Sequence, residues 1–245
     1  ADPVGARGPR LLVPTAGLDG VDVAPAEVDS AVAAAGVDTR GLHGTTTVAF
    51  RYDGGTVCCV DSRASMGSFV GSGATEKIIP LSATVLGTMA GSAADCVAWL
   101  RLLSAQSKLV ELETGAPLTA SQAARTLGAL LRDRRGERHG VGTMLFDAES
   151  LFYVDGDGYA LEGDAFAVGS GSPYAYPALE AGRGDASSTS EAAAVARRAV
   201  ETAAIRDAFS GNFVNTCVAE KGAPGWRRLS RGRSGVGLRL GGAKR

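Results

Sequence analysis

The 245-residue chain carries 25 Lys and Arg against 26 Asp and Glu, so its formal net charge of −1 argues against nucleic acid or an acidic lipid surface as the main partner. Hydrophobic residues make up 45% and charged residues 21%, as in a globular protein long enough for one sizeable domain or two small ones. No apolar run is long enough to span a bilayer, and no basic stretch followed by an apolar one opens the chain, so neither a membrane span nor a secretory leader is expected.

Residues 1 to about 43 are rich in small residues, proline and glycine, with weak periodicity; Val21 to Val37 reads as a short helix or an extended docking segment. From Thr45 the pattern becomes strand, turn, strand: Thr45 to Tyr52, the hairpin signal Asp53-Gly54-Gly55, then Thr56 to Asp61. Lys77 to Ile79 and Thr84 to Met89 read as further strands. Ser92 opens a helix with Asp95 at capping-box spacing, its apolar face drawn from Val97, Leu100, Leu103 and Leu109. A second helix starts near Thr119, with Gln122 three residues on, and ends in a basic cluster at Arg132, Arg134, Arg135 and Arg138 that suits a helix C-terminus.

Thr143 to Phe146 and Leu151 to Val154 are strands, followed by the turn Asp155 to Gly158, which lacks the downstream ligands of a calcium loop. A short strand, Ala165 to Val168, runs into the Gly169-Ser170-Gly171-Ser172 loop, which no Walker lysine follows. Helices are expected over Tyr174 to Leu179 and Ser188 to Phe209, the latter opened by a Ser188/Glu191 capping box. Asn212 to Val218 and Trp226 to Leu229 close the pattern as strands, and a Gly- and Arg-rich tail is expected from Arg231. Runs of strands and helices segregated in this way favour an antiparallel α+β layered domain.

Cys58, Cys59, Cys96 and Cys217 form no CxxC pair, and neither His43 nor His139 lies at ligand spacing from them. Adjacent cysteines in a strand point to opposite faces, so buried free thiols in a reducing compartment are expected, with no metal and no cofactor.

The chemistry centres on Gly44-Thr45. Were that bond cut, Thr45 would carry a hydroxyl nucleophile and a primary amine on one residue, and a neutral amine with a reference pKa of about 8 is a suitable base near neutral pH. A GTTT run alone reads far more readily as β-branched residues opening a strand. Asp61 follows sixteen residues later and Lys77 sixteen further, then Leu86 to Cys96 with Met89-Ala90-Gly91, Gly169 to Ser172, and Arg206-Asp207-Ala208-Phe209-Ser210-Gly211. This ordered set resembles the catalytic β-type subunits of the 20S proteasome, most closely the beta-five, chymotrypsin-like type, from Gly44 to about Trp226.

The resemblance implies a four-layer αββα sandwich of the N-terminal nucleophile hydrolase type over residues 45–230. It also implies a propeptide, residues 1–44, removed by self-cleavage between Gly44 and Thr45, and a tail over 231–245. It makes Thr45 the nucleophile, its freed amine the proton shuttle, and Lys77, oriented by Asp61, the charge that lowers the pKa of the Thr45 groups. Ser170, Asp207 and Ser210 support the amine, and the Gly91 N–H receives the oxyanion beside a helix N-terminus. Ala64, Ser65, Thr75, Met89, Ala93 and Val97 surround the pocket for the residue before the scissile bond, a pocket without the acid or base that would select charged side chains. His43 could assist processing.

Several positions depart from the family pattern. Ser65 stands where Thr is usual, Ser92 replaces a second glycine, Thr75 is polar at an aliphatic position, and Asn212 follows Ser210-Gly211 where another glycine is common. The implied partners are other α and β subunits in a barrel of stacked heptameric rings and unfolded polypeptide substrates, with no nucleic acid and no membrane, in cytoplasm and nucleus. Two alternatives stand beside this reading: another amidohydrolase with an N-terminal nucleophile, such as an HslV-like peptidase, and a non-catalytic structural ring subunit.

Overall fold

The computed structural model describes residues 44–66, 69–134 and 140–233. Residues 1–43 of the proposed propeptide, with its 21–37 segment and His43, as well as Arg135, Arg138, His139 and the tail beyond 233, lie outside the described residues.

Strands β1 (Thr47–Tyr52) and β2 (Gly55–Asp61) form the expected hairpin, pairing Thr47 with Val60 through to Tyr52 with Gly55. With β11 (Ala165–Val168), β12 (Phe213–Glu220) and β13 (Trp226–Arg233) they make a five-stranded antiparallel sheet in the order β11-β1-β2-β12-β13. A second antiparallel sheet runs β10-β9-β8-β6-β5, with β7 also paired to β8. Its strands are β5 (Ile78–Pro80), β6 (Leu86–Thr88), β7 (Ala90–Gly91), β8 (Val141–Phe146), β9 (Leu151–Asp155) and β10 (Ala160–Glu162). A small hairpin, β3 (Ala64–Met66) and β4 (Phe69–Ser72), stands apart from both sheets.

Strand alternation sorts the buried side chains into three apolar layers. Val48, Phe50, Val57 and Cys59 of the first sheet face α3 (Ser172–Arg183) and α4 (Thr189–Arg206), against Leu179, Ala196 and Val200. The opposite faces of the same strands, Ala49, Cys58 and Val60, meet Ile78, Leu86, Met144 and Phe146 of the second sheet. The outer face of that sheet, with Leu145, Phe152 and Val154, packs on α1 (Ala93–Thr114) and α2 (Ala120–Asp133) through Trp99, Leu100, Leu103 and Leu127. Helix pair, sheet, sheet and helix pair therefore stack as αββα. Cys58 and Cys59 fall in different layers, and all four cysteines are buried free thiols. Burial pushes their pKa values up, Cys59 to about 12 and Cys96 and Cys217 to about 11.

Some expectations need correction. Leu109 is exposed, because the buried stripe of α1 runs Cys96, Trp99, Leu100, Leu103, Ser107 and leaves position 109 on the far side. The α1 capping box is only half made: Ser92 Oγ accepts from Asp95 N, but the Asp95 carboxylate accepts from Gly140 N instead of returning to Ser92. The complete boxes are Thr119/Gln122 on α2 and Ser188/Glu191 on α4. Strand β13 continues through Arg233, three residues into the stretch read as tail, because Asn215 and Phe213 of β12 supply partners for Arg231 and Arg233. Strands β3, β4 and β10 went unpredicted; each has at most four residues, too few for a period to register.

The last correction bears on the site. Helix α4 ends at Arg206, not Phe209, and Asp207 takes extended backbone (φ −91°, ψ 115°). Its carboxylate accepts from Phe209 N (3.1 Å) and Ser210 Oγ (2.6 Å), a local turn that competes with another helical residue.

Candidate active site

Thr45 lies two residues before β1, which runs between β11 and β2 in the first sheet. Lys77 enters from the residue before β5. Its side chain is 2% exposed, and its Nζ donates to Asp61 Oδ1 at 2.7 Å. Asp61, at the end of β2, is fully buried and accepts three backbone donors as well: Thr46 N (2.9 Å) on Oδ1, then Gly211 N (2.9 Å) and Arg63 N (3.1 Å) on Oδ2. A carboxylate with four donors is satisfied without water. Burial lowers the pKa of Lys77 below its ordinary value, and the Asp61 carboxylate opposes that shift.

The second donor direction of Lys77 reaches the bond singled out in the sequence. Nζ donates to the Gly44 carbonyl oxygen at 3.2 Å, and Thr45 Oγ1 donates to the same oxygen at 2.6 Å. The uncut Gly44–Thr45 peptide is thus gripped by a cation and by the hydroxyl that would attack it.

On the other side of Thr45, its N–H donates to Ser170 Oγ at 3.2 Å. Ser170 Oγ donates to Asp207 Oδ2 at 2.6 Å, and Ser210 Oγ donates to the same oxygen at 2.6 Å. Ser210 Oγ also lies 2.7 Å from Thr46 Oγ1. The Ser170 loop is brought close by Gly169: its φ is +107°, and a Cβ there would sit 2.1 Å from the Thr45 carbonyl oxygen. The Gly171 N–H donates to that carbonyl at 3.3 Å.

A pocket opens beside Thr45, lined by Gly44, Ala64, Thr75, Lys77, Met89, Gly91 and Ala93. Gly91 stands on its wall at φ +101°, just before the N-cap Ser92 of α1, and a Cβ there would strike the Gly140 carbonyl. Of the six positions named for substrate binding, Ala64, Thr75, Met89 and Ala93 line this pocket. Val97 does not; it packs, half-buried, on the core around Leu100. Ser65 lies in β3, its backbone paired with Val70.

Sequence reading overlooked three contributors. Thr46 spans both halves, donating through N to Asp61 and pairing through Oγ1 with Ser210. Ser62 ties two loops together, its Oγ donating to Gly73 O and accepting from Phe213 N. Arg63 reaches across to Asn212 and Ala208. The available signal was a polar run, Asp61-Ser62-Arg63, at the end of an otherwise apolar strand. Among the described residues, no group of His, Cys, Asp and Glu is arranged to hold a metal ion.

Two stacked antiparallel sheets between helix pairs, with a buried threonine leading into the first strand, define a layered α+β fold of the N-terminal nucleophile hydrolase type. The chain belongs to the proteasome subunit family, whose model matches residues 42–219. It is 45% identical over 193 residues to proteasome subunit beta type-5 of Gallus gallus, covering 77% of this chain and 75% of that one. Proteasome subunit beta type-5-A of Arabidopsis thaliana is 43% identical, with 76% and 69% covered, and the beta type-5 subunit of Dictyostelium discoideum is 40% identical, with 77% and 70% covered.

Proposed function

We propose that this chain is a threonine endopeptidase subunit of a 20S proteasome core, that it frees Thr45 by cutting its own Gly44–Thr45 bond, and that it hydrolyses peptides after large hydrophobic residues. The observation that carries the proposal is the Gly44 carbonyl held jointly by Thr45 Oγ1 and Lys77 Nζ. In the first reaction Thr45 Oγ adds to the Gly44 carbonyl carbon, the C–N bond breaks with a proton passing to nitrogen, and an ester joins Gly44 to Thr45 Oγ. Water hydrolyses the ester, releasing a Gly44 carboxylate and a free Thr45 amine.

The amine then serves the second reaction. Hydrogen-bonded through Ser170 to Asp207, it takes the proton of Thr45 Oγ as that oxygen adds to the substrate carbonyl. Lys77, held by Asp61, lowers the pKa of the Thr45 groups, and the Gly91 N–H receives the oxyanion near the N-terminus of α1. The amine returns the proton to the leaving nitrogen, and water cleaves the acyl ester. Ala64, Met89 and Ala93 make the pocket apolar, and the one charged residue on its wall, Lys77, is already paired with Asp61. Backbone groups of Ser65 and Ala93 would pair with the substrate as an added strand. Other α and β subunits in stacked seven-membered rings, unfolded polypeptides as substrates, and residence in cytoplasm and nucleus complete the reading.

A panel of fluorogenic peptides, offered to assembled particles in which the other active subunits are silenced, tests it. Peptides with Phe, Tyr or Leu before the scissile bond should exceed those with Arg or Glu by at least about 100-fold in kcat/KM, because charged side chains lose their hydration in an apolar pocket without a partner. Equal rates across the panel, or preference for Arg or Glu, would overturn the assigned specificity.

A further inference from the structure

Arg63 and Asn212, 149 residues apart in sequence, meet through their side chains. Arg63 Nε donates to Asn212 Oδ1 at 3.0 Å, and its Nη1 donates to the Ala208 carbonyl at 3.0 Å. The same residue's backbone N–H holds Asp61 Oδ2. One side chain therefore grips both ends of the 208–212 turn while its main chain grips the carboxylate that orients Lys77. The turn is the piece that presents Ser210 Oγ to Asp207 and Thr46, and Gly211 N to Asp61.

Asn212 is unusual. It is the non-glycine residue at positive φ, +71°, among the described residues, in a region where Asn is the best tolerated side chain after glycine. Glycine would fit that backbone better but offers no acceptor. The backbone preference is thus set aside at this position for a side chain that accepts from Arg63. The neighbouring Gly211 leaves room for that contact: a Cβ there would sit 2.7 Å from the Arg63 guanidinium.

We infer that Asn212 and Arg63 form a clamp of positioning residues, which fixes the 207–212 turn so that Asp207, Ser210 and Asp61 hold their places around Thr45. The inference rests on the proposed threonine chemistry. Neither side chain reaches the reacting atoms; both act through the groups that do.

The test uses assembled particles with the other active subunits silenced. Asn212→Gly keeps the left-handed backbone and removes the acceptor. It should lower kcat for hydrophobic peptides by about tenfold, since small misplacements of catalytic groups are costly, while KM changes less than about twofold because the pocket is untouched. Asn212→Asp restores an acceptor at the same place and should recover most of kcat. Arg63→Lys keeps the charge but loses the fork and should reproduce the Asn212→Gly defect, and the double variant should be no worse than either single one. Unchanged kcat in Asn212→Gly, failure of Asn212→Asp to recover it, or additive losses in the double variant would overturn the clamp. Failure of the clamp alone leaves Thr45→Ala particles inactive; failure of the threonine chemistry itself would show as activity in those particles.

Discussion

Thr45→Ala is expected to leave the Gly44–Thr45 bond intact in assembled particles and to reduce hydrophobic-peptide hydrolysis by a factor on the order of 10⁶, the usual effect of deleting a covalent nucleophile. The substitution removes Oγ1, which in the uncut chain lies 2.6 Å from the Gly44 carbonyl oxygen, and so removes the attacker in both reactions. It should not unfold the protein: Thr45 makes its other contacts, to Ser170 Oγ and Gly171 N, through the backbone. Thr45→Ser separates hydroxyl from scaffold, keeping both nucleophile and amine, and should still be processed. Intact mass reads the processing and peptide cleavage reads the activity. Processing of Thr45→Ala at Gly44 would require a nucleophile other than the one assigned.

The second large effect lies in the buried pair. Lys77→Ala should also abolish processing and hydrolysis, but with modest loss of stability, because Asp61 keeps its three backbone donors from Thr46, Arg63 and Gly211. Asp61→Ala is expected to be the more damaging change. It leaves the Lys77 ammonium buried with the Gly44 carbonyl as its acceptor, and breaking a buried pair from one side typically costs about 3–5 kcal/mol.

That asymmetry has a pH signature. Burial already lowers the Lys77 pKa, and removing Asp61 removes the main group that opposes the shift. In Asp61→Ala the unfolded chain would bind a proton that the folded chain has released, over the window between the lowered folded value and the unfolded value of about 10.4. Stability of this variant should therefore rise with pH through that window, relative to the wild type. Denaturant midpoints at several pH values measure it; a midpoint difference that stays constant with pH would mean that Lys77 is not the group left unpaired.

The sequence made the framework readable because the central strands are buried on both faces and alternate cleanly. Val48 and Phe50 face the helices while Ala49 faces the other sheet, and the turn Asp53-Gly54 fixes their register with β2. The order of Thr45, Asp61, Lys77, Ser170, Asp207 and Ser210 was legible as a set of motifs, and those residues do converge on one place. What could not be read was how they are held. Thr46 looks like the middle of a β-branched run, and only its position between Asp61 and Ser210 gives it two partners. Arg63 and Asn212 are 149 residues apart, a pairing that no local pattern encodes. The end of α4 was overrun for a related reason: Ala208 and Phe209 are compatible with helix, and the Asp207 carboxylate, by bonding forward to Phe209 N and Ser210 Oγ, ends it. Val97 was placed at the pocket by the family resemblance, whereas the helical period put it on the apolar face of α1, and it packs on the core there.

Amino-terminal sequencing with intact mass of the wild-type subunit, taken from assembled and active particles, puts the proposed chemistry to its most direct test. The expected product is a chain beginning at Thr45, with residues 1–44 removed and the α-amine unblocked. Particles that cleave hydrophobic peptides at this subunit while Gly44 remains joined to Thr45 would contradict it, because the proton acceptor assigned here would still be an amide nitrogen.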